Sequence, residues 1–190
     1  MPSIVLASAS SARRSLLDRL GLNFAVDPAN IDESRNSNET PKQLAARLAL
    51  QKAQCVANRQ PATSLIIGSD QVAEIDGDVL GKPGTREKAI AQLSRCSGRT
   101  VTFHTAWCVL HEEFEQRGID VTEVDFRELT NTEIETYVDA DQPFGCAGSF
   151  KAESRGIALF ESIRSKDPTG LIGLPLIRVC AALRARGVTI

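Results

Sequence analysis

Gly68-Ser69-Asp70 closes an apolar run, Leu65-Ile66-Ile67. Ligands of α/β sheets bind at the carboxyl ends of strands, where side chains project from a fixed edge. An aspartate there can hold a metal ion or orient a water, although it also fits a turn aspartate bonded to its own backbone. Ser8-x-Ser10-x-x-Arg13-Arg14 occupies a second junction, between a short apolar run and a helical pattern. Unpaired N–H groups at such a helix start attract anions, and hydroxyls with a guanidinium complete a phosphate cradle. A serine N-cap followed by an exposed arginine pair fits the same residues. Asp32-Glu33, Lys52 and Lys82 fall at other segment ends or helix faces, and each lysine alone reads as a solvated surface residue. As a set they suit a polyphosphate. A triphosphate carries about four negative charges, and its cleavage needs cations on the phosphates and a group that orients water. Arg13, Lys52 and Lys82 supply the cations. Glu33 and Asp70 can bind magnesium or manganese, both oxygen-seeking ions.

Other chemistries are excluded by simple counts. With only His104 and His111, a three-histidine zinc site is impossible. The five cysteines are scattered without a Cys-x-x-Cys and read as idle thiols of a reducing compartment. Gly81-Lys82-Pro83 is no Walker lysine: a proline replaces the hydroxyl residue that would hold magnesium, and Gly77 lies one residue too near. Asp76-Gly77-Asp78 is better explained as a hairpin turn than as a phosphatase start.

The elements that must position these groups follow from periodicity and punctuation. Ser3 to Ala7 reads as a buried strand, and a helix from about Ser11 to Leu20 ends at Gly21. Phe24-Ala25-Val26 is a short strand. Thr40-Pro41-Lys42-Gln43 is a capping box with proline in the first turn, opening a helix to about Asn58. Leu65 to Gly68 is a buried strand continued by Gln71 to Ile75, and Asp78-Val79-Leu80 pairs back. A helix from Thr85 to Cys96 precedes two long strands, Thr100 to Leu110 and Ile119 to Glu128, around a polar turn from His111 to Gly118. Thr130 opens another capped helix to about Val138; a strand near Ile157 to Glu161 and a helix from Pro175 to about Gly187 complete the chain. The fold class is α/β, a mixed central sheet with flanking helices.

At 190 residues the chain is one domain spanning 1–190, and a net charge of -2 gives no field toward nucleic acid or anionic membrane. No apolar run nears the roughly 20 residues that span a bilayer, and the basic pair follows the first apolar stretch, unlike a signal peptide. The expectation is a cytoplasmic protein without a nucleic-acid polymer or membrane partner.

The motifs named above recur in order, followed by Cys146-Ala147-Gly148-Ser149-Phe150-Lys151-x-Glu153 and Gly173-Leu174-Pro175. In this order they resemble the Maf family of nucleotide pyrophosphatases across nearly the whole chain. The resemblance implies two lobes around a deep cleft, as in Maf and ITPase-like folds, often in a homodimer. It also implies metal-dependent hydrolysis of a nucleoside triphosphate to monophosphate and diphosphate, with Mg2+ or Mn2+. Asp70 matches the family's proposed proton acceptor, and Arg13, Glu33, Lys52 and Lys82 match its cleft residues for phosphate and metal, beside the phosphate cradle read from Ser8 and Ser10. Ala12, Gln71 and Glu153 stand where the family chooses its base. Gln71 and Glu153 resemble the branch acting on 7-methyl-GTP, a role of noncanonical nucleotide clearance. Guanine presents N1–H and N2–H on one edge, which one carboxylate can accept together, and N7 methylation adds a positive charge. That branch would carry an aromatic at position 12, where this chain has Ala12. A Maf-type enzyme for dTTP, UTP or CTP, or a non-catalytic nucleotide-binding division regulator, are the alternatives.

Overall fold

A computed structural model describes residues 2–112 and 114–190. Its centre is a seven-stranded mixed sheet in the order β2-β1-β3-β5-β6-β7, with β4 paired to β3. β1 (Ile4–Leu6) lies parallel to both β2 (Phe24–Val26) and β3 (Leu65–Ile75). Buried on both faces, β1 is a continuous apolar run, as parallel strands are. From β3 onward the pairing is antiparallel, through β5 (Thr100–His111), β6 (Phe114–Phe126) and β7 (Phe160–Arg164). Asp76 and Gly77 both take positive φ, 51° and 84°, the turn geometry that brings β4 (Asp78–Leu80) back on β3.

Alternation along β3 divides the helices between the two faces. α2 (Pro41–Ala57) packs Leu44, Leu48 and Ala49 against Val72 and Ala106. On the opposite face, α1 (Ser11–Asp18) and α5 (Leu176–Arg184) cover Leu65, Ile67 and Trp107. α3 (Arg86–Cys96) and α4 (Asn131–Asp141) cover Ala73, Ile75 and Phe103 on that same side. Both expected capping boxes form, at Thr40 with Gln43 and at Thr130 with Glu133.

Two expected boundaries shift. In place of a long polar turn, β5 runs to His111 and β6 starts at Phe114, with Trp107 opposite Gly118 and His111 opposite Phe114. The first half of β6 is only partly buried, so polar residues there carry little penalty and mask the strand. Glu113, part of the expected turn, lies outside the described residues. The strand placed at Ile157 starts instead at Phe160, because Arg155–Leu159 winds into a 3-10 turn that buries Leu159.

Candidate active site

A gap in the sheet creates the site. β1 pairs with β3 only as far as Ile67, and β4 joins β3 only from Ala73. Between them, Gly68 to Val72 are paired on the β5 side alone. At Leu6 the chain leaves β1 and passes through Ser8 and Ser10 into α1. The space left at this strand end is a cavity of about 650 Å³, within the usual range for small-molecule sites. Ser8, Ser10, Ala12, Arg13, Glu33, Lys52, Asp70, Gln71, Lys82 and Glu153, all named from the sequence, line it.

Asp70 and Gln71 point to opposite faces of β3. Asp70 meets α2, where Lys52 Nζ donates to its Oδ1 at 2.5 Å and stands 2.6 Å from Glu33 Oε1. The turn aspartate weighed against a functional one is therefore not what forms. α2 reaches this close because residue 68 is glycine: a Cβ there would lie 2.8 Å from Ala53 Cβ and closer still to the Ala49 carbonyl. Burial raises the pKa of Glu33, but the Lys52 bond and the fields of Lys52, Lys82 and Arg13 outweigh it, leaving the carboxyl below its ordinary value. Asp32 turns elsewhere and accepts from Ser34 N at 2.9 Å.

Of the serine–arginine motif's simpler reading, the N-cap forms and the exposed arginine pair does not. Ser10 caps α1, accepting from Arg13 N at 3.3 Å. Ser8 Oγ accepts from Ser10 N and from Arg13 Nη1. Arg13 is not an exposed partner of Arg14: its Nε donates to Gly173 O at 2.8 Å, and it faces the cavity. Burial lowers the Arg13 pKa against the opposing fields of Asp70 and Glu33. Lys82 follows β4 and reaches the same space, where its charge acts on Glu33.

Among the described residues, no three His, Cys, Asp or Glu side chains group to cage a metal. Two carboxylates do converge, and only one oxygen of each is engaged by Lys52. Magnesium and manganese are commonly held by one or two carboxylates together with substrate phosphates, so Glu33 and Asp70 fit such an ion.

On the other face, Gln71 Nε2 lies 2.9 Å from Thr105 Oγ1, 3.0 Å from Gly170 O and 2.9 Å from Leu171 O. Glu153 is exposed at the cavity rim, and Ala12 leaves open space beside the α1 start. Thr105 and the carbonyls of Gly170, Leu171 and Gly173 went unnoticed in the sequence. Thr105 reads only as a strand residue, and a carbonyl has no side chain to signal its role. Phe103 and Phe150, packed edge to face at 5.2 Å, also line the cavity.

A family model described as Maf-like protein matches residues 3–186. The chain belongs to the Maf-like family. Among its Maf-like relatives, the 7-methyl-GTP pyrophosphatase of Xanthomonas oryzae pv. oryzae (strain MAFF 311018) is 54% identical over 98% of both chains. That of Xanthomonas axonopodis pv. citri (strain 306) is 50% identical over the full length of both. The Maf-like fold here also resembles the structure of the Staphylococcus aureus Ham1 protein, with a TM-score of 0.52, 13% identity and 97% of each chain covered.

Proposed function

We propose that this chain hydrolyses 7-methyl-GTP to 7-methyl-GMP and diphosphate, clearing a noncanonical nucleotide from the cytoplasm. The observation that carries the reading is one cavity lined by three cations, by the carboxylates of Glu33 and Asp70, and by Gln71 and Glu153. Relatives bearing that activity in their names, at 50 to 54% identity, support it, and five free thiols suit a reducing compartment.

Ser8, Ser10 and the start of α1 receive phosphate oxygens, and Arg13 and Lys82 neutralise the departing diphosphate. Glu33 and Asp70 would hold a magnesium or manganese ion, which when bound withdraws charge from the phosphates. Asp70 orients the attacking water toward the α-phosphorus and accepts its proton, while Lys52 fixes the direction of that carboxylate. Glu153 accepts N1–H and one N2–H of guanine and attracts the cationic methylated ring.

Diphosphate release from 7-methyl-GTP, GTP, dTTP, UTP and CTP, with magnesium or manganese, tests this. Turnover is expected chiefly with 7-methyl-GTP and should fall at least ~10²-fold in Asp70→Ala. Preference for another base would discard the base assignment. Binding without turnover would favour a sensor.

A further inference from the structure

Gln71 is held by an arrangement that decides which end of its amide meets the nucleotide. Its Nε2 faces two backbone carbonyls, Gly170 O and Leu171 O, which have no proton to give. The third neighbour, Thr105 Oγ1, spends its own proton on Gly170 O at 2.9 Å and so meets Gln71 as an acceptor. Turning the amide over would set Oε1 against the two carbonyls, which have no proton to give, and forfeit both of those bonds. Oε1 is therefore the end left for the cavity. Guanine offers three N–H hydrogens on its recognition edge; with two accepted by Glu153, the second N2 hydrogen remains for this oxygen.

The carbonyls themselves stand on a turn that needs fixing. Asp167, 2% exposed, bridges it to α5. Its Oδ1 accepts from Thr169 N at 3.0 Å and Thr169 Oγ1 at 2.6 Å, and its Oδ2 accepts from Ile177 N at 2.7 Å. Thr169 Oγ1 in turn accepts from Leu176 N at 2.8 Å. Pro175 gives α5 no side-chain cap, so Asp167 and Thr169 satisfy the first free N–H groups of the helix from across the turn. The turn also lies tight against β6: a Cβ on Gly170 would come within 2.5 Å of Asp120 Oδ2.

We propose that Asp167 is a positioning residue for base recognition: by tying the 167–173 turn to α5 it holds the Gly170 and Leu171 carbonyls against Gln71 and so makes Gln71 a hydrogen-bond acceptor only. This rests on the reading of the cavity as a 7-methylguanine nucleotide site, and it adds the residue that orients the specificity side chain. Asp167→Asn keeps size and shape but sets an NH2 against a donor at one anchor or the other.

The test has one arm without substrate and one with it. In the 15N-labelled free protein, the Gln71 side-chain amide, identified by its loss in Gln71→Leu, should exchange at least ~10-fold more slowly than exposed glutamines, and Asp167→Asn should remove that protection. Exchange at the exposed rate in the unaltered protein would overturn the proposal whatever the enzyme hydrolyses. In the second arm, kcat/KM for 7-methyl-GTP is compared with that for 7-methyl-ITP, which lacks the 2-amino group. A ratio of about 10- to 100-fold is expected, reduced at least ~5-fold in Asp167→Asn. Adding Asp167→Asn to Gln71→Leu should reduce the ratio no further. An equal loss on both substrates, leaving the ratio intact, would make Asp167 merely structural. Should Asp167→Asn not fold, Thr169→Val severs the same tie, and Thr169→Ser should restore the ratio. Inactivity on every 7-methylguanine nucleotide would instead defeat the substrate reading and leave the exchange arm to judge Asp167.

Discussion

At Lys52 one ammonium answers two carboxylates, Asp70 at 2.5 Å and Glu33 at 2.6 Å. The Lys52 and Asp70 side chains are only 9% and 10% exposed, while Glu33 is 48% exposed. Removing the lysine leaves two like charges facing each other, one of them largely withdrawn from water. Lys52→Met is expected to cost about 2 kcal/mol, below the range for a fully enclosed pair because the cavity admits solvent. Chemical denaturation at neutral pH checks this, and an unchanged midpoint would show that the pair contributes nothing. The same substitution should lower turnover by about 10²-fold, since Asp70 would lose both its orientation and a phosphate-facing cation. Arg13 presents a different physical case. It is anchored by Gly173 O at 2.8 Å, so its guanidinium is directed by the backbone instead of by a carboxylate partner.

Two element-level contacts bring the charged groups together. The first is α2 on β3, a packing distance that only glycine at position 68 permits. Gly68→Ala should force α2 outward, destabilising the fold by about 1–3 kcal/mol and drawing Lys52 away from Asp70. A crystal structure of the variant showing an unmoved helix would refute this. The second is the 31–39 segment that carries Glu33. Arg47 of α2 bonds Glu39 through Nε at 2.7 Å and Nη2 at 2.8 Å, and also holds Ser34 O. The Arg47 hydrogen bonds are the main reason the Glu39 carboxyl falls from 4.5 to about 2. A depressed carboxyl contributes stability that is complete above its unfolded pKa and disappears as pH falls through the folded value. The stability gap between the unaltered protein and Glu39→Gln should therefore shrink between about pH 4.5 and 2. Denaturant titrations at pH 6, 4 and 3 measure it, and a gap constant across that range would count against the pairing.

The whole molecule makes its site by leaving a sheet incomplete. Parallel pairing stops at Ile67, antiparallel pairing with β4 resumes at Ala73, and the intervening part of β3 faces the cavity with a different helix layer on each side. Elements from both layers line it, so a bound nucleotide ties them together. In Asp70→Asn, which should bind without rapid turnover, 7-methyl-GTP with magnesium at a hundred times its Kd should add about 2.7 kcal/mol of stability. Thermal shifts across the nucleotide panel would read this directly, with no shift from any nucleotide arguing against the site.

The sequence alone determined the features that are local or carried by side-chain type. Caps at Thr40 and Thr130, the turn at Asp76-Gly77 and the serine–arginine helix start form where their short-range chemistry requires. The charged residues were legible only as a set and through the ordered family motifs, since each lysine alone reads as a solvated surface residue. Where burial relaxes, the pattern faded: the half-buried start of β6 passed for a turn because partly exposed strand positions tolerate polar residues. Tertiary structure alone decided that Lys52 reaches both Glu33 and Asp70, that Arg13 is seated on Gly173, and that Gln71 Nε2 meets the Gly170 and Leu171 carbonyls. Those outcomes depend on backbone carbonyls and helix-to-strand distances, which belong to no single residue and are set only when distant parts of the chain pack together.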